Sequence, residues 1–314
     1  MSRMRNRWIH STQALQVGCA PAGLPNWTFS AIYYGPHACL LVDGLPPGNV
    51  SVSSTQTLLA HRRTLALMTR QDMKTSYGHY RLGILWTLAE PFAMAIFMWI
   101  VFSFILGGDR GIGLDPFIVY LITGMLPFQW LAISIRKGPK VFRRFGPTLS
   151  VSPLPISVWP MRSVLLGGAE FFLALPVVLL FMVVFGAELT WGVALFPVAI
   201  GLQFMLCLGF AKLGAALALR LPDIDRLTSL LTRAFFWMSP IIWAQRNFPE
   251  WLQPLVYLNP FHVILDFYRA SVWPDESLST WQHELTSVAM IVLIFVTGTV
   301  LLNRSVKDVR KIDE

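Results

Sequence analysis

Long apolar runs separated by short polar segments fill the chain from about residue 84 onward. Six runs are candidate membrane spans: residues 84–106, 117–135, 164–185, 191–219, 227–243 and 285–302. A helix rises about 1.5 Å per residue, so about 20 apolar residues cross the hydrocarbon core of a bilayer. The pattern predicts an all-α membrane protein with six transmembrane helices.

Two further elements flank these spans. In residues 57–81, Leu65 and Met68 recur at roughly helical spacing while Arg63, Arg70 and Lys74 occupy another face, which predicts an amphipathic interfacial helix. Residues 248–273 are apolar but broken by prolines. Irregular backbone at membrane depth must lie against protein or water, so short re-entrant helices are predicted between spans five and six.

The first 56 residues differ from the rest, being rich in Pro, Gly, Ser and Asn. Such composition is typical of a poorly ordered segment. We therefore expect a poorly ordered N-terminal extension over residues 1–56 and a transmembrane domain over residues 57–314.

Composition and charge agree with a membrane protein. Only 13% of the 314 residues are charged and mean hydropathy is +0.56, whereas soluble domains have about 25% charged residues. The net charge of +8 is segregated, and the candidate outer loops carry only Arg110, Arg246 and Arg269 as cations. By the positive-inside rule this predicts a membrane protein with both termini cytoplasmic, rather than a nucleic-acid binder.

Motifs for enzymatic chemistry are missing from the sequence. There is no GxxxxGK[ST] nucleotide loop, and Cys19, Cys39 and Cys207 are too far apart in the chain for a zinc motif. We expect no catalytic residues, no metal site and no cofactor in this chain. A membrane-embedded enzyme or a proton-driven carrier is thus the weaker alternative.

Ionisable residues within the predicted spans need an explanation, because each costs at least ~2.5 kcal/mol at a helix centre. They are Glu90, Glu170, Lys212 and Arg233. One interpretation is a polar lining of a conduit, and the other is a buried structural pair such as Glu170 with Arg233. The sequence leaves both open.

A basic segment follows the second span, and residues 136–162 contain no acid. It could orient the chain or bind anionic lipid. It could also dock a cytoplasmic partner that supplies mechanical work. Its candidate coupling residues are Arg136, Lys137, Lys140, Phe142, Arg143 and Arg144.

Three ordered motifs resemble one known family. Residues 80–86 (YRLGILW) with Glu90 and Pro91, residues 126–130 (LPFQW) and residues 236–243 (FWMSPIIW) are similar to ABC-2-type exporter permeases of the capsule and O-antigen branch. In that resemblance Tyr80, Arg81, Trp86 and Pro91 form the motif at the start of the first span. The resemblance covers about residues 57–314.

The resemblance implies a homodimeric permease that exports lipid-linked capsular or related polysaccharide. Two copies of a separate ATPase subunit would bind ATP and Mg, and an envelope export apparatus would receive the polymer. An exporter of drugs or small lipids is the alternative within the family. Because sugar rings stack on aromatic side chains, the candidate conduit residues are Trp86, Glu90, Phe92, Phe97, Phe235, Phe236 and Trp237.

Overall fold

The computed structural model describes residues 29–34, 37–42, 61–105, 115–142, 154–244, 249, 258–274 and 281–312. The chain divides into two units, residues 1–49 and 50–314. The predicted boundary after residue 56 and most of the expected poorly ordered extension lie outside the described residues.

Within the first unit, Phe29–Tyr34 (β1) pairs antiparallel with His37–Val42 (β2), with Phe29 opposite Val42 and Tyr34 opposite His37. This hairpin departs from the all-α expectation. Both segments are rich in aromatic and branched aliphatic residues, which favour strands. The described part of the second unit is all-helical.

The described residues of the second unit form eight α-helices: α1 Arg62–Tyr77, α2 Trp86–Ile100, α3 Phe117–Lys137, α4 Val158–Val184, α5 Phe196–Ala218, α6 Ile224–Met238, α7 His262–Arg269 and α8 Trp281–Ile312. A π-helical turn, Val101–Ile105, extends α2, and 3-10 turns Gly83–Leu85 and Trp191–Leu195 precede α2 and α5. Five helical segments of the described residues are long and apolar enough to cross a membrane: α2 with its π-helical turn (Trp86–Phe104), α3, α4, α5 with its 3-10 turn (Trp191–Ala218), and α8.

The predicted fifth span is shorter than expected and displaced. Helix α6 ends at Met238, five residues before the predicted end. Pro240 disfavours helical geometry at the residue before it, and Ser239 is accordingly extended, with φ −88° and ψ 143°. Fifteen residues of helix span only about 22 Å, less than the hydrocarbon core.

Helix α3 forms the centre of the bundle. Trp130 on α3 packs on Gly167 and Gly168 of α4, where an added Cβ would lie within 2.7 and 3.0 Å of the indole. The indole Nε1 donates to the carbonyl of Val164 over 2.8 Å. Small residues on α4 thus make room for the largest side chain of α3.

Helices α5 and α8 run parallel in close contact. A Cβ added to Gly298 would lie 2.4 Å from the carbonyl oxygen of Gly209. Further along both helices, Lys212 Nζ donates to Thr299 Oγ1 over 3.0 Å, and Ala216 packs with Leu302. Because the contacts advance together along the two sequences, both helices begin at the same side of the bundle.

One short helix lies in the segment where re-entrant helices were expected, and whether it re-enters a membrane stays a prediction. Helix α7 is short and almost wholly buried. Before it, the side chain of Asn259 accepts from the Phe261 amide at 3.0 Å and donates to Ser239 Oγ at 2.8 Å, tying α7 to the end of α6. Residues 250–257 of the segment predicted to hold two such helices lie outside the described part.

The predicted interfacial helix is shorter than the sequence pattern indicated. Helix α1 ends at Tyr77, and residues 78–82 form turns. Leu65 is buried against the bundle while Arg63, Arg70 and Lys74 are exposed. The segregation of charge is therefore present, and the location of α1 at a membrane surface stays a prediction.

Candidate functional site

A groove of about 630 Å³ opens between α2, α3 and α6. Helix α2 supplies most of its wall, and its residues recur every three to four positions, so they share one helical face. The main lining residues are Trp86, Glu90, Pro91, Met94 and Phe97 of α2, Met125, Phe128 and Gln129 of α3, and Phe236 of α6.

The groove combines aromatic faces with two polar side chains. Trp86 is 45% exposed and Phe97 is 65% exposed, so both rings are available for contact. On the opposite wall, Phe128 meets Phe236 edge to face with ring centroids 5.2 Å apart. Glu90 and Gln129 provide a carboxylate and an amide among these rings, a pattern of apolar walls with few polar groups that is typical of ligand sites.

Four of the seven predicted conduit residues meet in this groove: Trp86, Glu90, Phe97 and Phe236. Phe92 does not, because it is buried and stacks on Phe181 of α4 at 5.3 Å. Phe235 packs against Phe210 of α5, at 5.5 Å. Trp237 is exposed beside Phe236, with their ring centroids 5.6 Å apart.

A polar cluster lies beside the groove. The Tyr77 hydroxyl of α1 donates to Glu170 Oε1 of α4 over 2.9 Å, and Glu170 is buried. Burial, followed by the nearby carboxylates of Glu170 and Glu90, raises the pKa of Tyr77, so its phenol remains a donor. The suggested pair of Glu170 with Arg233 is wrong, because Arg233 is exposed on α6 and Tyr77 takes its place.

Lys212, the remaining cation within a predicted span, is buried between α5 and α8. Its ammonium lies 4.6 Å from the ring centroid of Phe295 and donates to Thr299. A buried ammonium is stabilised by such hydrogen bonding and cation–π contact. Lys212 thus lies in the packed part of the bundle and does not line the groove.

The motif before α2 divides between surface and interior. Tyr80 and Arg81 are exposed, while Pro91 is buried and lines the groove. Gly83 has φ +51°, a left-handed conformation that other residues adopt at a cost. The glycine of YRLGILW therefore shapes the turn that leads into α2.

The described coupling candidates continue from the end of α3. Arg136 and Lys140 are exposed, and Lys137 is partly buried. Phe142 packs on Ala215, Ala216 and Leu302, so the segment is anchored on α5 and α8 with its cations outward. Arg143 and Arg144 lie outside the described residues.

Sequence reasoning missed a buried arginine. Arg269, assigned above to an outer loop, is buried in α7 and its guanidinium carbon lies 3.5 Å from the ring centroid of Tyr120. Its terminal nitrogens donate to the carbonyls of Pro240 at 2.6 Å, Ile241 at 3.3 Å and Tyr120 at 3.4 Å. The sequence indicated this burial, because Arg269 lies in a largely apolar segment. A cation buried there requires hydrogen-bond partners.

A second missed network joins α3, α5 and α7. Tyr268 donates to Gln203 Oε1 over 2.6 Å, and Gln203 Nε2 donates to the Pro127 carbonyl over 2.8 Å. Gln203 is a polar residue within an apolar span, the kind of position that needs an interhelical partner.

Comparisons with known proteins agree with the resemblance seen in the motifs. An O-antigen export system permease protein RfbA of Klebsiella pneumoniae is 27% identical over 248 residues, covering 76% of this chain and 91% of that protein. The RfbA protein of Myxococcus xanthus is 24% identical, covering 78% of this chain and 90% of its own length. The polysialic acid transport protein KpsM of Escherichia coli is 23% identical, covering 67% and 81%.

The pattern of the ABC-2 type transporter family matches residues 63–273, a region that begins in α1, contains the whole groove and ends just after α7. That family consists of the membrane permeases of ABC transporters, and the resemblance to its O-antigen and capsule export branch is confirmed. The chain belongs to the ABC-2 type transporter family.

Proposed function

We propose that this protein is the permease subunit of an ATP-driven exporter that carries a lipid-linked O-antigen or capsule-type polysaccharide across the bacterial inner membrane. The observation that carries the proposal is the groove, in which aromatic faces surround Glu90 and Gln129. Relatives named for O-antigen export and polysialic acid transport support the same substrate class.

The groove suits a sugar chain in transit. Trp86 and Phe97 offer exposed faces to the C–H surfaces of sugar rings, and Glu90 and Gln129 offer hydrogen-bond acceptors and a donor to the hydroxyls. A carboxylate within a membrane span needs water or polar partners, which a hydrated polysaccharide supplies. Contacts of this kind hold a polymer weakly at several points and let it slide.

Six membrane crossings with both termini cytoplasmic fit this function. Support comes from the parallel course of α5 and α8, because a chain that ends α5 on one side must cross again before beginning α8 on the other. The segment containing α6 and α7 is the part of the chain that makes this crossing. The cations at Arg136, Lys140 and Arg304 mark the cytoplasmic side by the positive-inside rule.

A second copy of the chain completes the conduit in this proposal. The groove is open, and next to it α6 exposes Leu227, Leu230 and Trp237 together with Arg233. A homodimer that joins two grooves would shield these side chains and enclose a polar path. An ATPase subunit docked on the exposed cations after α3 would supply ATP and Mg chemistry to each permease.

The test is export in a deletion strain. Cells without the gene should accumulate intracellular polysaccharide, and the restored gene together with its ATPase should return the polymer to the cell surface. Phe97→Ala should lower export severalfold at normal protein levels. Normal surface polysaccharide in the deletion strain, combined with lost efflux of a drug or small lipid, would replace this proposal with the other ABC-2 substrate class.

A further inference from the structure

Two polar contacts fasten α1 to α4 at different heights. Arg162 of α4 forms a bidentate ion pair with Asp72 of α1, in which Nη2 donates to Oδ1 over 2.7 Å and Nε donates to Oδ2. The second contact is the hydrogen bond from Tyr77 to Glu170. The two acceptors and their donors are largely buried, with side chains of the ion pair only 12% and 11% exposed.

The order of these contacts fixes the direction of the two helices. Asp72 precedes Tyr77 on α1 by five residues, and Arg162 precedes Glu170 on α4 by eight, or roughly 12 Å of helix. The helices therefore run in the same direction where they touch. Two attachment points at different heights prevent both sliding and pivoting, which a single contact would permit.

The distribution of charges along the chain favours the pairing of Asp72 with Arg162. Asp72 is the only acidic residue between residues 57 and 89, and it faces inward while the cations of α1 face outward. Its partner Arg162 belongs to the segment 136–162, which has no acid of its own. A bidentate guanidinium–carboxylate pair adds geometric specificity that a lysine would not supply.

The attachment also reaches the groove. Helix α4 packs on the helix that supplies most of the groove wall, because Phe181 of α4 stacks on Phe92 of α2 with ring centroids 5.3 Å apart. Movement of α1, passed to α4 through the two attachment points, would therefore reach α2 through this contact.

We propose that the Asp72–Arg162 ion pair and the Tyr77–Glu170 hydrogen bond form a rigid joint that transmits movement of α1 to α4 and so to the groove. The inference rests on the proposed function, since it assumes a permease driven by a separate ATPase. Asp72, Arg162, Tyr77 and Glu170 are positioning residues in this scheme. The scheme requires that they act through α4, without contacting the ATPase or the substrate.

The test uses the full-length permease, purified with its ATPase and reconstituted in vesicles. Asp72→Asn and Arg162→Ala should leave ATPase copurification unchanged and ATP hydrolysis within about twofold, while polysaccharide export falls at least tenfold. Tyr77→Phe should lower export about threefold. The swap Asp72→Arg with Arg162→Asp should restore export to within about threefold of the unmodified protein.

Two controls match the chemistry of these changes. Asp223→Asn removes an exposed carboxylate before α6, and Thr75→Ala removes a hydroxyl of α1 that bonds only to the Gln71 carbonyl of its own helix. Both should export normally. If the single variants fail to accumulate, the double variant with the swapped ion pair becomes the test of the joint, because a restored ion pair should recover both accumulation and export.

The results that would refute the joint differ from those that would refute the proposed function. Normal export by Asp72→Asn and Arg162→Ala would overturn the joint, as would loss of ATPase copurification, which would make the pair part of the docking surface. A swap that accumulates and binds ATPase but does not export would also overturn it. An unmodified complex that moves no polysaccharide would instead refute the proposed function.

Discussion

The centre of the bundle and the wall of the groove differ in how much of their surface the chain itself buries. In α3, 89% of the most apolar stretch is buried, whereas the corresponding figure for α2 is 22%. Polar groups near α3, such as Gln203 and Arg269, have partners within the chain. Groove residues such as Trp86 and Phe97 remain open. The comparison indicates that contacts within the chain hold the centre together, whereas the described chain leaves the groove wall uncovered.

The largest effect is expected where the centre holds its buried cation. Arg269→Met should strongly destabilise the fold, because the carbonyls of Pro240, Ile241 and Tyr120 each lose a hydrogen bond from the guanidinium, and a hydrogen bond to a charged group contributes about 1.5–3 kcal/mol. Accumulation in membranes and thermal stability in detergent measure this loss. Arg136→Met, which removes an exposed cation, should leave both unchanged, and equal loss in the two variants would contradict the assignment.

Two phenylalanines of α2 allow a direct comparison between the buried interior and the groove wall. Phe92→Ala should cost about 3–5 kcal/mol, since Phe92 is buried against Phe181. Phe97→Ala should change the free energy of unfolding by less than about 0.5 kcal/mol and reduce export instead. Denaturation in detergent and an export assay separate the two effects. The contrast fails if Phe97→Ala destabilises the protein as much as Phe92→Ala.

The close approach of α5 and α8 gives a smaller but clear test of helix packing within the bundle. Gly298→Ala should destabilise the protein by about 1–3 kcal/mol, because the added methyl group would lie too close to the Gly209 carbonyl. Gly201→Ala on α5 is the matched control, since nothing lies within 4 Å of its added Cβ. Thermal unfolding should distinguish them, and equal midpoints would show that the helices separate without cost.

The sequence was informative about the spans and less so about the partners of polar residues. Length and apolar content identified α2, α3, α4, α5 and α8 because bilayer thickness sets those lengths. It overestimated α6, where Pro240 ends the helix early. Hydropathy also cannot distinguish which face of α2 carries Phe92 and which carries Phe97, because that depends on the packing of α2 against α3 and α4.

Polar partners were missed for a related reason. One of the two interpretations paired Glu170 with Arg233 on charge alone, whereas its partner is the neutral hydroxyl of Tyr77 on a helix outside the predicted spans. Arg269 was counted among the outer-loop cations because its segment lies between spans five and six. Both errors arose because pairing between distant segments is a property of the fold, and spacing along the chain does not record it.

The smallest effect is expected at the exposed cations that follow α3, where function should change without stability. Lys140→Glu should weaken ATPase association about two- to fivefold at low salt, as single exposed charges contribute about 0.2–1 kcal/mol. Binding measured at low and high ionic strength should show the difference disappearing as salt screens the charges.

Arg304→Glu makes the same charge change at an exposed position of α8, outside the segment that follows α3. If it weakens binding equally, net charge explains the effect and the segment after α3 has no special role. Unchanged binding in both variants would shift the docking surface away from the described cations altogether.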